Sequence, residues 1–163
     1  MNISHCMRIC RGVSIVEVVI GVSIAALAIA FMSHTIVRYA SVGTETLDRT
    51  RAVFLAEEGL ELMRYLHDDS WTNLSSLTSG TSYYLAISTT TIATTTTASL
   101  IDGKYSRTIT TSPVYRATAN DDIVASTSAA SKALDPDTFL VTATVLWGTP
   151  TTTVRLSEYL SHY

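Results

Sequence analysis

Residues 11–17, Arg-Gly-Val-Ser-Ile-Val-Glu, are followed by an apolar sequence that runs to Met32. This stretch decides the fold, because about 20 apolar residues at 1.5 Å each are enough for a helix to cross a bilayer. One carboxylate, Glu17, lies near the start of the segment. A lone carboxylate there costs on the order of 2.5–3.5 kcal/mol unless a partner neutralises it, so Glu17 is predicted to have a functional partner.

Residues 12–17 (GVSIVE) resemble the class III signal of type IV pilins and pseudopilins. The resemblance implies that a prepilin peptidase cuts between Gly12 and Val13 and that the new N-terminal residue, Val13, is methylated. It also implies that Glu17 neutralises the α-amine of a neighbouring subunit during assembly. The likeness is close over residues 11–32 and extends to the rest of the chain by general layout. Val13 departs from the family, which most often has Phe or Met there.

Residues 1–12 carry Arg8 and Arg11 and no acidic residue, so they are expected to stay in the cytoplasm while the following chain is exported. Two alternatives remain. The first is an ordinary secretory signal, since Ala26-Leu27-Ala28 resembles a small-x-small cleavage site. Glu17 inside the apolar region and a helical pattern that continues past Ala30 argue against it. The second is an uncleaved, single-pass signal anchor whose head binds a ligand or surface.

The composition limits the functions that are open to the chain. With 163 residues it has room for one modest domain and an anchor, and its net charge of −3 gives no sign of nucleic-acid binding. Cys6 and Cys10 both precede Gly12, so a chain cut at Gly12 has no disulfide. No catalytic motif and no metal-ligand spacing is present, so we expect neither an enzyme nor a cofactor. Acidic pairs such as Asp121-Asp122 could bind calcium, but turn and cap roles are favoured. The sequon Asn73-Leu74-Ser75 could accept a glycan, but a role in surface solvation is favoured.

The segment 13–67 is predicted to form one long helix, because the first proline of the chain is Pro113. Residues 13–36 are expected to form the transmembrane or filament-core part and residues 37–67 an amphipathic continuation into the head. In this second part apolar residues recur with helical spacing. They are Ala52, Leu55, Ala56, Gly59, Leu62, Met63 and Leu66.

Residues 68–163 are predicted to form a Thr-rich β-sheet head. Strands are expected at 82–87, at 104–111 with an extension over 114–116 past Pro113, and at 138–147 and 151–160. The last two strands flank Gly148-Thr149-Pro150 and are predicted to form a hairpin. Asp135-Pro136-Asp137 is predicted to be a turn before the third strand. A helix followed by antiparallel strands indicates an α+β fold, with the apolar face of the sheet on residues 47–66.

These observations predict a type IV pilin-like precursor that becomes a filament subunit, either major or minor. The expected partners are the prepilin peptidase, other pilin subunits in a homo- or hetero-filament, the inner-membrane assembly platform and membrane lipid. The precursor is expected in the cytoplasmic membrane with its head exported, and the assembled chain in a periplasmic or cell-surface filament. A secreted enzyme is the remaining class, and the absence of catalytic motifs makes it the weakest.

Overall fold

The computed structural model describes residues 14–88 and 91–162. Its first element is the helix α1 (Ile15–Asp69), which matches the predicted long helix to within two residues at each end. By contact density the chain divides into two units, Met1–Thr46 and Leu47–Tyr163, here called the N-terminal and the C-terminal unit. Residues 15–46 of α1 belong to the first unit and residues 47–69 to the second.

The C-terminal unit follows α1 with a short helix and seven strands. They are α2 (Trp71–Ser75), β1 (Tyr84–Ile87), β2 (Ile92–Thr95), β3 (Leu100–Ile101), β4 (Tyr105–Ala117), β5 (Ile123–Val124), β6 (Lys132–Trp147) and β7 (Thr152–Ser161). All strand pairs are antiparallel. One sheet has the order β3-β4-β6-β7 with β5 beside β4, and β1 and β2 form a separate two-stranded sheet. The predicted α+β class is therefore confirmed.

The core of this unit lies between residues 52–66 of α1 and one face of the larger sheet. Six of the seven helical residues singled out by spacing are buried, and Leu62 is partly buried. On the sheet, alternate residues of β4 and β6 point into the core, among them Ile109, Val141 and Val145. Successive side chains of a strand point to opposite faces, so one set of alternate side chains from each strand meets the helix.

The hairpin of β6 and β7 forms with Trp147 opposite Thr152, as predicted around Gly148-Thr149-Pro150. The predicted extension of β4 past Pro113 also forms, and its register with β6 shifts between Pro113 and Val114. The Asp102-Gly103 turn has positive φ at both residues, 52° and 63°, as a type I′ turn requires.

The prediction of a turn at Asp135-Pro136-Asp137 is wrong. These residues belong to β6, which begins at Lys132, because Val114 pairs with Asp135 while the neighbouring Pro113 pairs with Phe139. Three residues of β6 therefore have no partner on β4 and form a bulge. A bulge accommodates a proline within a strand pair, so the local turn signal did not end the strand.

Three smaller differences concern the ends and the short elements. The first strand begins at Tyr84 rather than at residue 82, and part of the Thr-rich tract forms β2. The helix α2 and the two-residue strands β3 and β5 were not predicted. Elements of two to five residues carry too little periodicity to be recognised in a sequence.

Candidate functional site

The N-terminal unit begins its helix at a serine cap. The backbone N–H of Val16 donates to Ser14 Oγ at 3.3 Å, and the N–H of Val18 donates to the Ser14 carbonyl at 3.2 Å. A serine at this position satisfies a helix N–H that has no partner within the helix. Glu17 lies in the first turn, where a negative charge is favoured by the helix dipole. Its side chain is exposed.

Large apolar side chains cover the helix of the N-terminal unit and are exposed. Ile15 is 82% exposed and Phe31 is 72% exposed, and the other large apolar residues between them are all more than half exposed. In water this surface is unfavourable, at about 25 cal/mol for each Å² left unburied. Such a contiguous apolar surface marks a contact with lipid or with protein.

No Asp, Glu, Lys or Arg occurs between Glu17 and Arg38. Among the described residues, α1 is the one helix long and apolar enough to cross a membrane, with no buried residue in its apolar window. This length and composition are compatible with a single-pass anchor.

The hydroxyl groups in this uncharged stretch are satisfied by the helix itself. Ser23, Ser33 and Thr35 each donate to the carbonyl four residues earlier, at 2.7, 2.9 and 2.8 Å. Lipid offers no hydrogen-bond partners, so a hydroxyl that bonds its own backbone is suited to a hydrocarbon environment. His34 is the remaining ionisable residue between Glu17 and Arg38.

Gly12 and Val13, the predicted cleavage and methylation positions, lie outside the described residues, as do Cys6 and Cys10. The structure therefore positions one of the three predicted site residues, Glu17. Among the described residues of this single chain, no cation pairs with Glu17. The predicted partner, the α-amine of another subunit, is not tested by one copy.

In the C-terminal unit, ion pairs join the first residues of its part of α1 to the turn before β4. Lys104 Nζ lies 2.6 Å from one oxygen of the Asp48 carboxylate, and the Tyr105 hydroxyl donates to the other at 2.9 Å. These two donors, Lys104 first, lower the pKa of Asp48. Burial, and then the hydrogen bond to Asp48, raise the pKa of Tyr105. One turn later, Arg51 pairs with Asp102 at 2.9 Å.

The acidic pairs considered as calcium ligands form hydrogen bonds and ion pairs within the C-terminal unit. Asp135 accepts from Arg116 Nε at 2.6 Å and from the N–H of Asp137 at 3.0 Å, and the bond from Arg116 is the largest cause that lowers its pKa. Asp121 occupies a turn with φ 58°. In the described ranges, no group of three His, Cys, Asp or Glu side chains is arranged to hold a metal ion.

Sequence reasoning missed a cluster at the end of α1. The rings of His67 and His162 lie 5.6 and 5.0 Å from that of Trp71, and Phe139 packs at 5.5 Å from the same indole. Both nitrogens of His67 are engaged, with Asp68 Oδ1 at 2.8 Å and the Ser161 carbonyl at 3.1 Å. The four histidines appeared scattered in the sequence because β7 returns His162 to the helix end only in the folded chain.

The sequon residue Asn73 is held by the fold. Its side-chain amide donates to the Leu66 carbonyl at 2.9 Å and to Asp69 at 3.2 Å, and the residue is partly buried. The Asn73 amide therefore links α2 to the end of α1 by hydrogen bonds. Asn73 is partly buried and Ser75 is exposed, so the sequon is partly open to solvent while the local turn directs the Asn73 side chain back onto the helix.

Comparison of the chain with family models, curated proteins and solved structures gives no match.

Proposed function

We propose that the chain is a type IV pilin-like precursor whose product is a filament subunit. The observation that carries the proposal is the combination of GVSIVE at residues 12–17 with a helix of apolar, exposed residues that begins within this motif, at Ile15. In this proposal the peptidase cuts after Gly12, and the helix leaves the membrane to pack against the helices of other copies.

Glu17 is proposed to pair with the α-amine of Val13 on a neighbouring subunit. Cleavage creates that amine, so processing itself supplies the partner. In a low-dielectric surrounding the two opposite charges attract strongly, and each relieves the cost of burying the other. The exposure of Glu17 in a single copy and its place in the first turn of the helix support this role.

The C-terminal unit is proposed to be the exported head. It carries its own core between α1 and the sheet, whereas the apolar side chains of residues 15–42 remain exposed. A second subunit or a bilayer would remove this apolar surface from water. Partners of the assembled chain would be further pilin subunits, the assembly platform and, before assembly, lipid.

Assembly in cells that produce the chain tests this function. Filaments are sheared from the surface or collected from the periplasm and quantified by immunoblotting. Wild-type chain is expected in this fraction, and Glu17→Ala is expected to be cut and membrane-bound but absent from it. Val18→Ala is the matched control and should assemble. Normal assembly of Glu17→Ala would remove the proposed role of Glu17, and a wild-type chain confined to membranes would favour a signal anchor.

A further inference from the structure

Three polar side chains lie at the end of the uncharged stretch of α1. They are His34, Arg38 and Tyr39, which are all exposed, and none of them has a hydrogen bond or an ion pair with a residue that the structure describes. The hydroxyl of Thr35, which lies between them in the sequence, is engaged, because it donates to the Phe31 carbonyl at 2.8 Å. An imidazole, a guanidinium and a phenol are therefore available to a ligand outside the chain.

A groove on the helix surface brings these three groups to one side of the helix. Its lining consists of His34, Thr35, Arg38, Tyr39 and Val42. His34 and Arg38 are four residues apart, so their side chains lie one above the other on the same face. Tyr39 follows Thr35 by the same interval and stands beside them. A ligand that fits this groove has an anionic end and an apolar part, because the groove joins a cation to the apolar surface of the helix.

The position of the groove along the helix corresponds to the far surface of a bilayer. Arg38 is the first residue with a formal charge after Glu17 and follows it by 21 residues, which is about 32 Å along the helix axis. The hydrocarbon core of a bilayer is about 30 Å thick. When Glu17 lies near one surface, Arg38 and Tyr39 therefore lie at the other, where aromatic rings and long cationic side chains reach the headgroups. His34 lies about 6 Å deeper.

We propose that this groove binds a phospholipid of the leaflet on the exported side. Arg38 and Tyr39 donate to the phosphate, and an N–H of the His34 ring donates to an ester oxygen of the same lipid. The charges are complementary, because the phosphate is anionic and the Arg38 guanidinium has no carboxylate partner among the described residues. The acyl chains cover the apolar surface that continues toward Phe31, which is 72% exposed.

This lipid site rests on the membrane-inserted stage of the proposed function. It requires a helix that spans the membrane, but it does not require a cut after Gly12. The site therefore applies to an uncleaved signal anchor as well. In the proposed function the bound lipid holds the precursor at a fixed depth until the helix leaves the membrane.

Native mass spectrometry of the full chain in detergent micelles tests the site. Phosphatidylglycerol and diglucosyldiacylglycerol with the same acyl chains are added together, and only the first carries a phosphate. Phosphatidylglycerol adducts should dominate for the wild type and fall about fivefold for Arg38→Gln, as expected for one cationic side chain at anionic headgroups. Arg49→Gln is the matched control and should bind like the wild type, since Arg49 is an exposed arginine beyond the apolar stretch of the same helix. Inorganic phosphate in large excess should leave the adducts unchanged.

Labelling of intact spheroplasts with a membrane-impermeant maleimide tests the depth of the groove. One chain carries Ser33→Cys and another carries Val42→Cys, both with Cys6→Ser and Cys10→Ser. Val42→Cys should be labelled and Ser33→Cys protected, because the two positions lie on opposite sides of Arg38 along the helix. Both thiols should react once detergent dissolves the membrane.

Four results would overturn the proposal. Equal adducts of the two lipids, or wild-type adducts for Arg38→Gln, would remove the phosphate site. Displacement by inorganic phosphate would assign the groove to a free anion, and a loss of dimer instead of lipid in Arg38→Gln would assign it to a second copy. Labelling of Ser33→Cys in the intact membrane would place the groove outside the bilayer. The chain mass in the same spectra shows whether the chain is cut after Gly12, so failure of the lipid site is distinguishable from failure of the proposed function.

Discussion

Arg107 Nη1 lies 3.0 Å from Glu58 Oε2, which joins the sheet of the C-terminal unit to its helix. The side chain of Arg107 is 4% exposed, whereas that of Glu58 is 49% exposed. The same nitrogen donates to the Leu55 carbonyl at 3.2 Å. A guanidinium stays protonated in proteins, so its charge in this core has to be neutralised by the carboxylate.

Removal of the Glu58 charge should destabilise the head. Glu58→Gln leaves the Arg107 guanidinium in the core with a carbonyl but without its counter-charge, and we expect a loss of about 1–3 kcal/mol in the free energy of unfolding. Urea unfolding of the full chain in detergent micelles measures it, because Trp71 and Trp147 both lie in the C-terminal unit. Glu57→Gln is the matched control, since Glu57 is exposed and has no ion pair among the described residues. Equal effects of the two substitutions would contradict the role of the Glu58 pair.

Gly59 lies where the helix packs tightly against side chains of the sheet. A Cβ at this position would lie 3.1 Å from Arg107 Cδ and 3.2 Å from Ile109 Cδ1, and Ile109 is fully buried. Gly59→Ala should therefore cost about 1–3 kcal/mol through crowding, in spite of the better helix propensity of alanine. Gly43→Ala, where a Cβ meets nothing within 4 Å, should leave the unfolding midpoint unchanged or raised. A Gly59→Ala chain as stable as wild type would show that the helix and sheet can separate without cost.

The Asp48 carboxylate makes the stability of the C-terminal unit depend on pH. Its pKa is lowered in the folded state, so its contribution to stability is present above the unfolded value of 3.8 and is lost as the pH falls through the folded pKa. The thermal midpoint of the wild-type chain should therefore drop as the pH is lowered from neutral to below 3.8, and Asp48→Asn should show a smaller drop. Asp137→Asn removes an exposed carboxylate without an ion pair among the described residues and serves as the control. Identical pH profiles for wild type and Asp48→Asn would exclude this role.

Thr111 is a fully buried residue whose hydroxyl has no hydrogen-bond partner in the described part of the chain. Valine has nearly the same shape and removes a buried polar group, so Thr111→Val should raise the free energy of unfolding by about 1 kcal/mol. Urea titration of the two chains provides the comparison. Thr111→Ser keeps the hydroxyl and loses a methyl group, and it should destabilise the head. A destabilised Thr111→Val chain would indicate that the hydroxyl has a partner.

The sequence predicted the elements in which the pattern of apolar residues extends over many positions. The helix shows its buried residues at helical spacing over 52–66, and β4, β6 and β7 alternate over many residues. The start of β6 was predicted wrongly because Asp135-Pro136-Asp137 has residue types that are typical of turns. These residues lie at a bulge that forms only when β6 pairs with β4, which is distant in the sequence. The same limit applies to Arg107, because its ion pair with Glu58 joins two residues that are far apart in the sequence.

Glu17 was found for a local reason, since a single carboxylate in an apolar segment is visible in the sequence. The structure was needed to show that Arg38, Glu45, Arg49 and Glu57 have no ion pair with any residue that it describes, whereas most of the charged residues near Arg49 and Glu57 have one. Likewise, the cluster of His67, Trp71 and His162 depends on the return of β7 to the end of α1.

The intact mass of the membrane-extracted protein, with and without co-expressed prepilin peptidase, tests the central claim most directly. A chain that begins at Val13 in the presence of the peptidase, with or without one added methyl group, is the predicted result, and Gly12→Glu should abolish the cut. The peptidase must also cut a control prepilin. If it does so but leaves residues 1–12 attached to this chain, the result contradicts the pilin pathway and favours the uncleaved signal anchor. A cut near Ala30 would contradict it as well and indicate a secreted domain.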